Sequence, residues 1–132
     1  MPAHYHAVVW IDHHQARVYH FNAEDMQTLR VLPENPHVHL HHHRGSDTDG
    51  HAAEDQHYYH QVAASIADAG EVLVVGPGLA KGELVKHLKA HDPAWAKKVV
   101  GVETVDHPTD KEVVAHARKY FQGADRLRPQ QG

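Results

Sequence analysis

The residues from Glu71 to Thr104 constrain the fold of this chain more than any other stretch. Val72-Leu73-Val74-Val75 is an unbroken apolar run. Such a run reads as a strand covered on both faces, where no polar alternation is needed. Gly76-Pro77-Gly78 follows as a turn, and a helix is predicted from Leu79 to His91. After a break at Asp92-Pro93, Val99-Val100-Gly101-Val102 reads as a second apolar strand. The unit spans about 30 residues, enough for a right-handed crossover between parallel strands.

Upstream, His6 to Ile11 is nearly continuous apolar sequence and is predicted as a central strand. Asp12-His13-His14-Gln15 reads as a hairpin-type turn, and Ala16 to Phe21 as a second strand. After the turn Asn22-Ala23-Glu24-Asp25, Met26 to Leu32 reads as a third, with Thr28 and Arg30 alternating against Leu29 and Val31. Pro33 and Pro36 end this antiparallel meander. The stretch from His37 to Gly50 opens as an edge strand and ends in turn residues. A helix is predicted from about Ala52 to Ala67, with Tyr59, Val62, Ala63 and Ile66 as its apolar stripe and Gly70 as its stop. Thr109 and Glu112 form a capping-box pattern that opens the last helix. Val113, Ala117, Tyr120 and Phe121 make its stripe, with Val114 beside it, and Gly123 is expected to stop it.

The expected fold is therefore α/β: a five-stranded mixed sheet, a three-strand antiparallel meander plus two parallel strands, with three helices. This is the ribonuclease H-like layout. A chain of 132 residues makes one domain the expectation. It is placed at residues 1–123, with a polar tail at 124–132. The sequence has no cysteine, which excludes disulfides and Cys-type zinc sites. It shows no secretory leader and no apolar run of about 18 residues, so a cytoplasmic location without membrane contact is expected. A net charge of -4 argues against a strongly basic nucleic-acid binder. The 17 histidines make surface charge sensitive to mild acidification.

Leu73-Val74-Val75-Gly76-Pro77-Gly78-Leu79-Ala80-Lys81-Gly82-Glu83-Leu84 resembles a segment of the middle domain of the eukaryotic and archaeal class I release factors. Pelota and bacterial stand-alone relatives share that segment. Asp92 and Lys97-Lys98-Val99-Val100 are placed as in the family's next loop and strand, and His57-Tyr58-Tyr59 with Val62-Ala63 is similar to its preceding helix. The resemblance covers about His6 to Phe121. It implies a ribonuclease H-like fold, a bacterial or archaeal source, and ribosome or tRNA as partner; a homodimer is compatible with it. The family's Gly-Gly-Gln loop, which helps water attack peptidyl-tRNA, corresponds to Arg44 to His51, where no Gly-Gly-Gln occurs, and Gln56 lies beyond. The family's codon-reading N-terminal domain and its C-terminal domain have no counterpart in the sequence. The resemblance thus implies translation-linked binding and speaks against peptide release.

Four chemistries remain open beside it. Lys81, Lys86, Lys89, Lys97 and Lys98, with Arg44, form a local basic bias that could meet RNA phosphate. Gly76-Pro77-Gly78 with Lys81 in the first helical turn could hold an anion, though the P-loop spacing is missing; a plain tight turn explains the same residues. His37, His39, His41 and His43 alternate, so in an extended strand all four share one face, about 6.6 Å apart. Imidazoles so spaced could bind zinc or another divalent metal, with Asp47 or Asp49 as a further ligand; a polar surface loop is the plainer reading. No cofactor is fixed by the sequence. The pairs His57/His60 and His87/His91 sit at helical spacing and are expected on solvated faces. Asp12, Glu54 or Asp55, and Asp106 could build a two-metal nuclease or hydrolase centre, but each also suits a turn, helix start or strand exit.

Overall fold

The structure is a computed structural model that describes residues 6–22, 25–33 and 47–127, leaving aside the side chains of 47–55 and 123–127. Its elements are β1 (His6–Ile11), β2 (Ala16–Phe21), β3 (Met26–Val31), α1 (Asp47–Ser65), β4 (Glu71–Gly76), α2 (Ala80–His91), α3 (Pro93–Ala96), β5 (Val99–Thr104) and α4 (Asp110–Leu127). The strands form one sheet in the order β3-β2-β1-β4-β5. β1, β2 and β3 pair antiparallel, while β4 runs parallel to β1 and β5 parallel to β4. This is the predicted mixed sheet of ribonuclease H-like type. Among the described residues, no helix is long and apolar enough to cross a membrane.

β1 lies at the centre, and its unbroken apolar sequence follows from that place. Ala7, Val9 and Ile11 face one core with Val72 and Val74 of β4, covered by Tyr58, Tyr59, Val62, Ala63 and Ile66 of α1 and by Ala80, Leu84 and Leu88 of α2. Val8 and Trp10 face the other core with Leu73 and Val75, covered by Val113, Val114, Ala117 and Phe121 of α4. Both edge strands are more exposed. Leu29 of β3 is 42% exposed and Val102 of β5 is 44% exposed, so alternation there marks a strand without burying it.

Polar side chains fix the helices to the sheet. The Thr109/Glu112 capping box forms: Thr109 N donates to Glu112 Oε1 at 2.8 Å, and Glu112 N to Thr109 Oγ1 at 3.2 Å. Asp110 at the start of α4 accepts from Arg17 at 2.9 Å and from the Tyr19 hydroxyl at 2.6 Å. Those bonds, Tyr19's first, hold its carboxyl below the usual range. Tyr120 reaches the Val100 carbonyl of β5.

Element ends differ from the sequence expectation in three places. α1 begins at Asp47, ahead of Ala52, because acidic residues suit the first turn of a helix. The expected break at Asp92-Pro93 is a short helical turn, α3, with proline at its start, where a missing N–H costs nothing. α4 passes Gly123 and reaches Leu127. A glycine weakens a helix by only about 1 kcal/mol relative to alanine. That is too little to end one anchored by four core side chains.

Gly76 is required for space and not for backbone freedom. Neither Gly76 nor Gly78 adopts a left-handed φ. A Cβ at Gly76 would overlap the Ile11 carbonyl oxygen, a backbone atom held by the sheet. Around Gly82, in α2, a Cβ would meet nothing. Gly76→Ala is expected to lower stability by about 3 kcal/mol. Gly82→Ala is expected to raise it by about 0.5–1 kcal/mol. Urea-denaturation midpoints check both.

Candidate functional site

The five lysines do not form one equivalent set. Lys81 Nζ donates to the Gly78 carbonyl at 2.5 Å, which folds the lysine back onto its own turn. Lys98 Nζ donates to the Ala67 carbonyl at 2.5 Å and ties the start of β5 to the chain after α1. Lys86 and Lys89 on α2 and Lys97 after α3 are exposed. Arg44 and His37, His39, His41 and His43 lie outside the described residues, as does the expected edge strand that carries them.

Asp12 follows β1, as expected, but its chemistry is that of a turn. Its Oδ1 accepts from the backbone N–H groups of His14 at 2.8 Å and Gln15 at 2.9 Å. His107 stands between Asp12 and Asp106, with Nδ1 at 2.8 Å from Asp106 Oδ1 and Nε2 at 3.9 Å from Asp12 Oδ2. Among the described residues, Asp12 belongs to no group of three side chains able to hold a metal. The side chains of Glu54 and Asp55 lie outside the description.

The richest constellation joins His87, expected on a solvated face, to residues of α1. Between α1 and α2, a cleft of about 450 Å³ is lined by Gln56, Tyr59, Glu83, Lys86, His87 and His91, among others. Near its mouth, Glu83 Oε1 accepts from the Tyr59 hydroxyl at 2.6 Å and lies 3.2 Å from His13 Nε2. The Tyr59 bond, then His13, holds the Glu83 carboxyl below its ordinary range against the opposing effect of burial. Deeper, His87 is 6% exposed, so its expected place on a solvated face is corrected. Its Nδ1 lies 2.5 Å from Gln56 Oε1, and its ring packs on His91 at 4.7 Å and His60 at 6.3 Å. The sequence did hold the signal. Ala80, Leu84, His87 and Leu88 fall at i, i+4, i+7 and i+8, so His87 continues the apolar stripe of α2. His57 and His60 are exposed, as expected.

Burial, then the neighbouring His91, lowers the proton affinity of His87, while Asp92 pulls the other way. An imidazole held neutral in the fold binds fewer protons than in the unfolded chain once pH drops below its unfolded value, about 6.5. Acidification below that value therefore destabilises the fold through His87. NMR titration of the ring resonances is expected to show His87 protonating below the normal histidine range. Glu83 has the usual carboxylate sign. Its stabilising bond is present above the unfolded carboxyl pKa and is lost as pH falls through the lowered folded value. Tyr59→Phe is expected to cost about 1 kcal/mol at pH 7, and the difference from the parent should shrink towards pH 3 in urea titrations.

No family model matches the chain, and no curated protein matches it in sequence. Solved structures do match its fold. Pelota from Archaeoglobus fulgidus aligns with a TM-score of 0.60 at 17% identity, over 86% of this chain and 30% of Pelota. The archaeal translation termination factor aRF1 aligns at 0.59 and 19% identity, over 86% of this chain and 34% of the factor. Dom34 from S. cerevisiae, a translation termination-like factor involved in RNA quality control that interacts with Hbs1, aligns at 0.56 and 8% identity, over 95% of this chain and 35% of its own. This chain thus spans about a third of the length of those proteins. The resemblance read from the sequence is borne out as a shared fold, that of the middle domain of Pelota and the archaeal release factor.

Proposed function

We propose that this protein is a translation-associated factor of the cytoplasm that docks on a ribosome or tRNA surface and does not release peptide. The single observation that carries this is the fold match to Pelota and aRF1 over 86% of the chain. Two further facts support it. The stretch from Arg44 to His51 contains no Gly-Gly-Gln, the element through which the family's release chemistry works. Lys86, Lys89 and Lys97 are exposed at or near the α2–α3 corner, where they can meet phosphate. Lys81 and Lys98 each also donate to a backbone carbonyl. The hydrolase reading gains nothing from Asp12, whose Oδ1 is engaged by its own turn.

Co-sedimentation with purified ribosomes tests the proposal. At pH 8, where histidines are neutral, the protein is expected to pellet with ribosomes at low salt and to leave them as salt rises. The log–log salt slope falls by about one for each phosphate contact removed. A Lys86→Ala, Lys89→Ala, Lys97→Ala chain is therefore expected to lose two to three units of slope, on the order of one per lysine. A chain that stays in the supernatant at low salt, at pH 8 and pH 6 alike, would remove the reading.

A further inference from the structure

Three side chains that ribosome docking does not use converge where α1, α2 and α3 meet. The Gln56 oxygen can only accept a hydrogen bond, so its contact with His87 Nδ1 places the ring proton on that nitrogen. His87 Nε2 then presents its lone pair inward. That atom is buried and has no hydrogen-bond partner among the described residues, and the same is true of Asp92 Oδ2. The two lie 3.9 Å apart, beyond hydrogen-bonding range. Two acceptors buried face to face repel each other unless a positive charge lies between them. His60 of α1 completes the group, for one ligand atom each of His60, His87 and Asp92 lies within 4.8 Å of the other two.

We propose that His60, His87 and Asp92 form a divalent-cation site, suited above all to zinc. Two imidazole nitrogens and one carboxylate, with no sulfur, match the borderline character of Zn²⁺. Ligand bonds of about 2.1 Å place tetrahedral donor atoms about 3.4 Å apart. The site contracts to that spacing by rotation of His60, the exposed member, and by approach of the Asp92 carboxylate to His87 from 3.9 Å. The other two are anchored, through the ring of His87 and the backbone of Asp92. His87 is oriented by Gln56, as metal-bound imidazoles are oriented through their second nitrogen. Asp92 is held at the α2–α3 junction: its N–H donates to the Leu88 carbonyl at 2.8 Å, and its own carbonyl accepts from Trp95 at 2.9 Å and Ala96 at 3.0 Å. Water supplies the fourth position. The groups packed around the site are His91 and Lys86 of α2 and Tyr59 and Gln56 of α1. The bound ion would cross-link α1 to the α2–α3 junction. None of its three ligands belongs to the alternating histidines at 37–43.

Those alternating histidines would confuse a simple metal titration, so the experiment uses the full chain with His37, His39, His41 and His43 replaced by glutamine. Zinc chloride is titrated by calorimetry, and thermal midpoints are read with and without zinc. The expected result is one zinc per chain and a midpoint raised by about 8 °C at free zinc a hundredfold above Kd. His60→Ala, at an exposed position that leaves the fold intact, is expected to weaken binding about tenfold or more, as is Asp92→Asn. Gln56→Leu, which never touches the ion, is expected to weaken it about 10–100-fold by freeing the imidazole. The absence of a zinc-dependent midpoint shift in the glutamine-substituted chain would overturn the proposal. So would an affinity unchanged by His60→Ala.

Discussion

The placement of β1 between an antiparallel and a parallel neighbour is the constraint on which the rest depends. Trp10 pairs across to Arg17 on one side and to Val75 on the other. Residues Ala7 to Ile11 are fully buried, because helices cover both faces of the sheet. A strand buried on both faces must be apolar at every position, and its backbone groups must all be paired within the sheet. The close approach of Gly76 to Ile11 is a consequence: β4 runs so tightly beside β1 that no Cβ fits at its last residue. Even the indole nitrogen of Trp10 is provided for, donating to the Asp106 carbonyl at 2.6 Å.

The two faces solve the polar problem differently. On the α4 face, Arg17 lies 4.6 Å over the Trp10 ring and passes on to Asp110 and the Pro108 carbonyl, which sets the start of α4. Arg118 reaches the Asn22 and Asp25 carbonyls of the β2–β3 turn. On the other face the tyrosines of α1 do this work. Tyr58 donates to the Asp12 carbonyl at 2.9 Å, and Tyr59 to Glu83. The α1–α2 interface carries a polar cluster of buried His87, half-buried Asp92 and exposed Gln56. A buried polar group needs a partner or it destabilises the fold. Among the described residues the buried side-chain atoms without a hydrogen-bond partner are Arg17 Nε, Arg118 Nε, His87 Nε2 and Asp92 Oδ2, and the last two face each other.

The fold was legible in the sequence because its signals are local. Apolar runs, a Gly-Pro-Gly turn and a Thr109–Glu112 cap act over a few residues, and each gave the right element. The site was legible only in part. The lysines looked alike, yet Lys81 bonds the carbonyl of its own turn, and Lys98 bonds the Ala67 carbonyl, 31 residues away in the chain. His87 looked like half of a solvated i,i+4 pair with His91, although its stripe with Leu84 and Leu88 pointed inward. Composition drew attention to the histidine-dense stretch at 37–43, away from three residues scattered over positions 60, 87 and 92.

The sequence by itself determined the order and type of the elements, the central strand, and the ribonuclease H-like class. Periodicity and turn chemistry depend on neighbours along the chain, so they can be read there. Only the tertiary structure decided which helix faces meet, which lysines stay exposed, and which histidine is buried opposite a carboxylate. Those outcomes depend on the packing of α1 against α2 and on the turn at α3, which bring residues from separate segments within a few ångströms of one another.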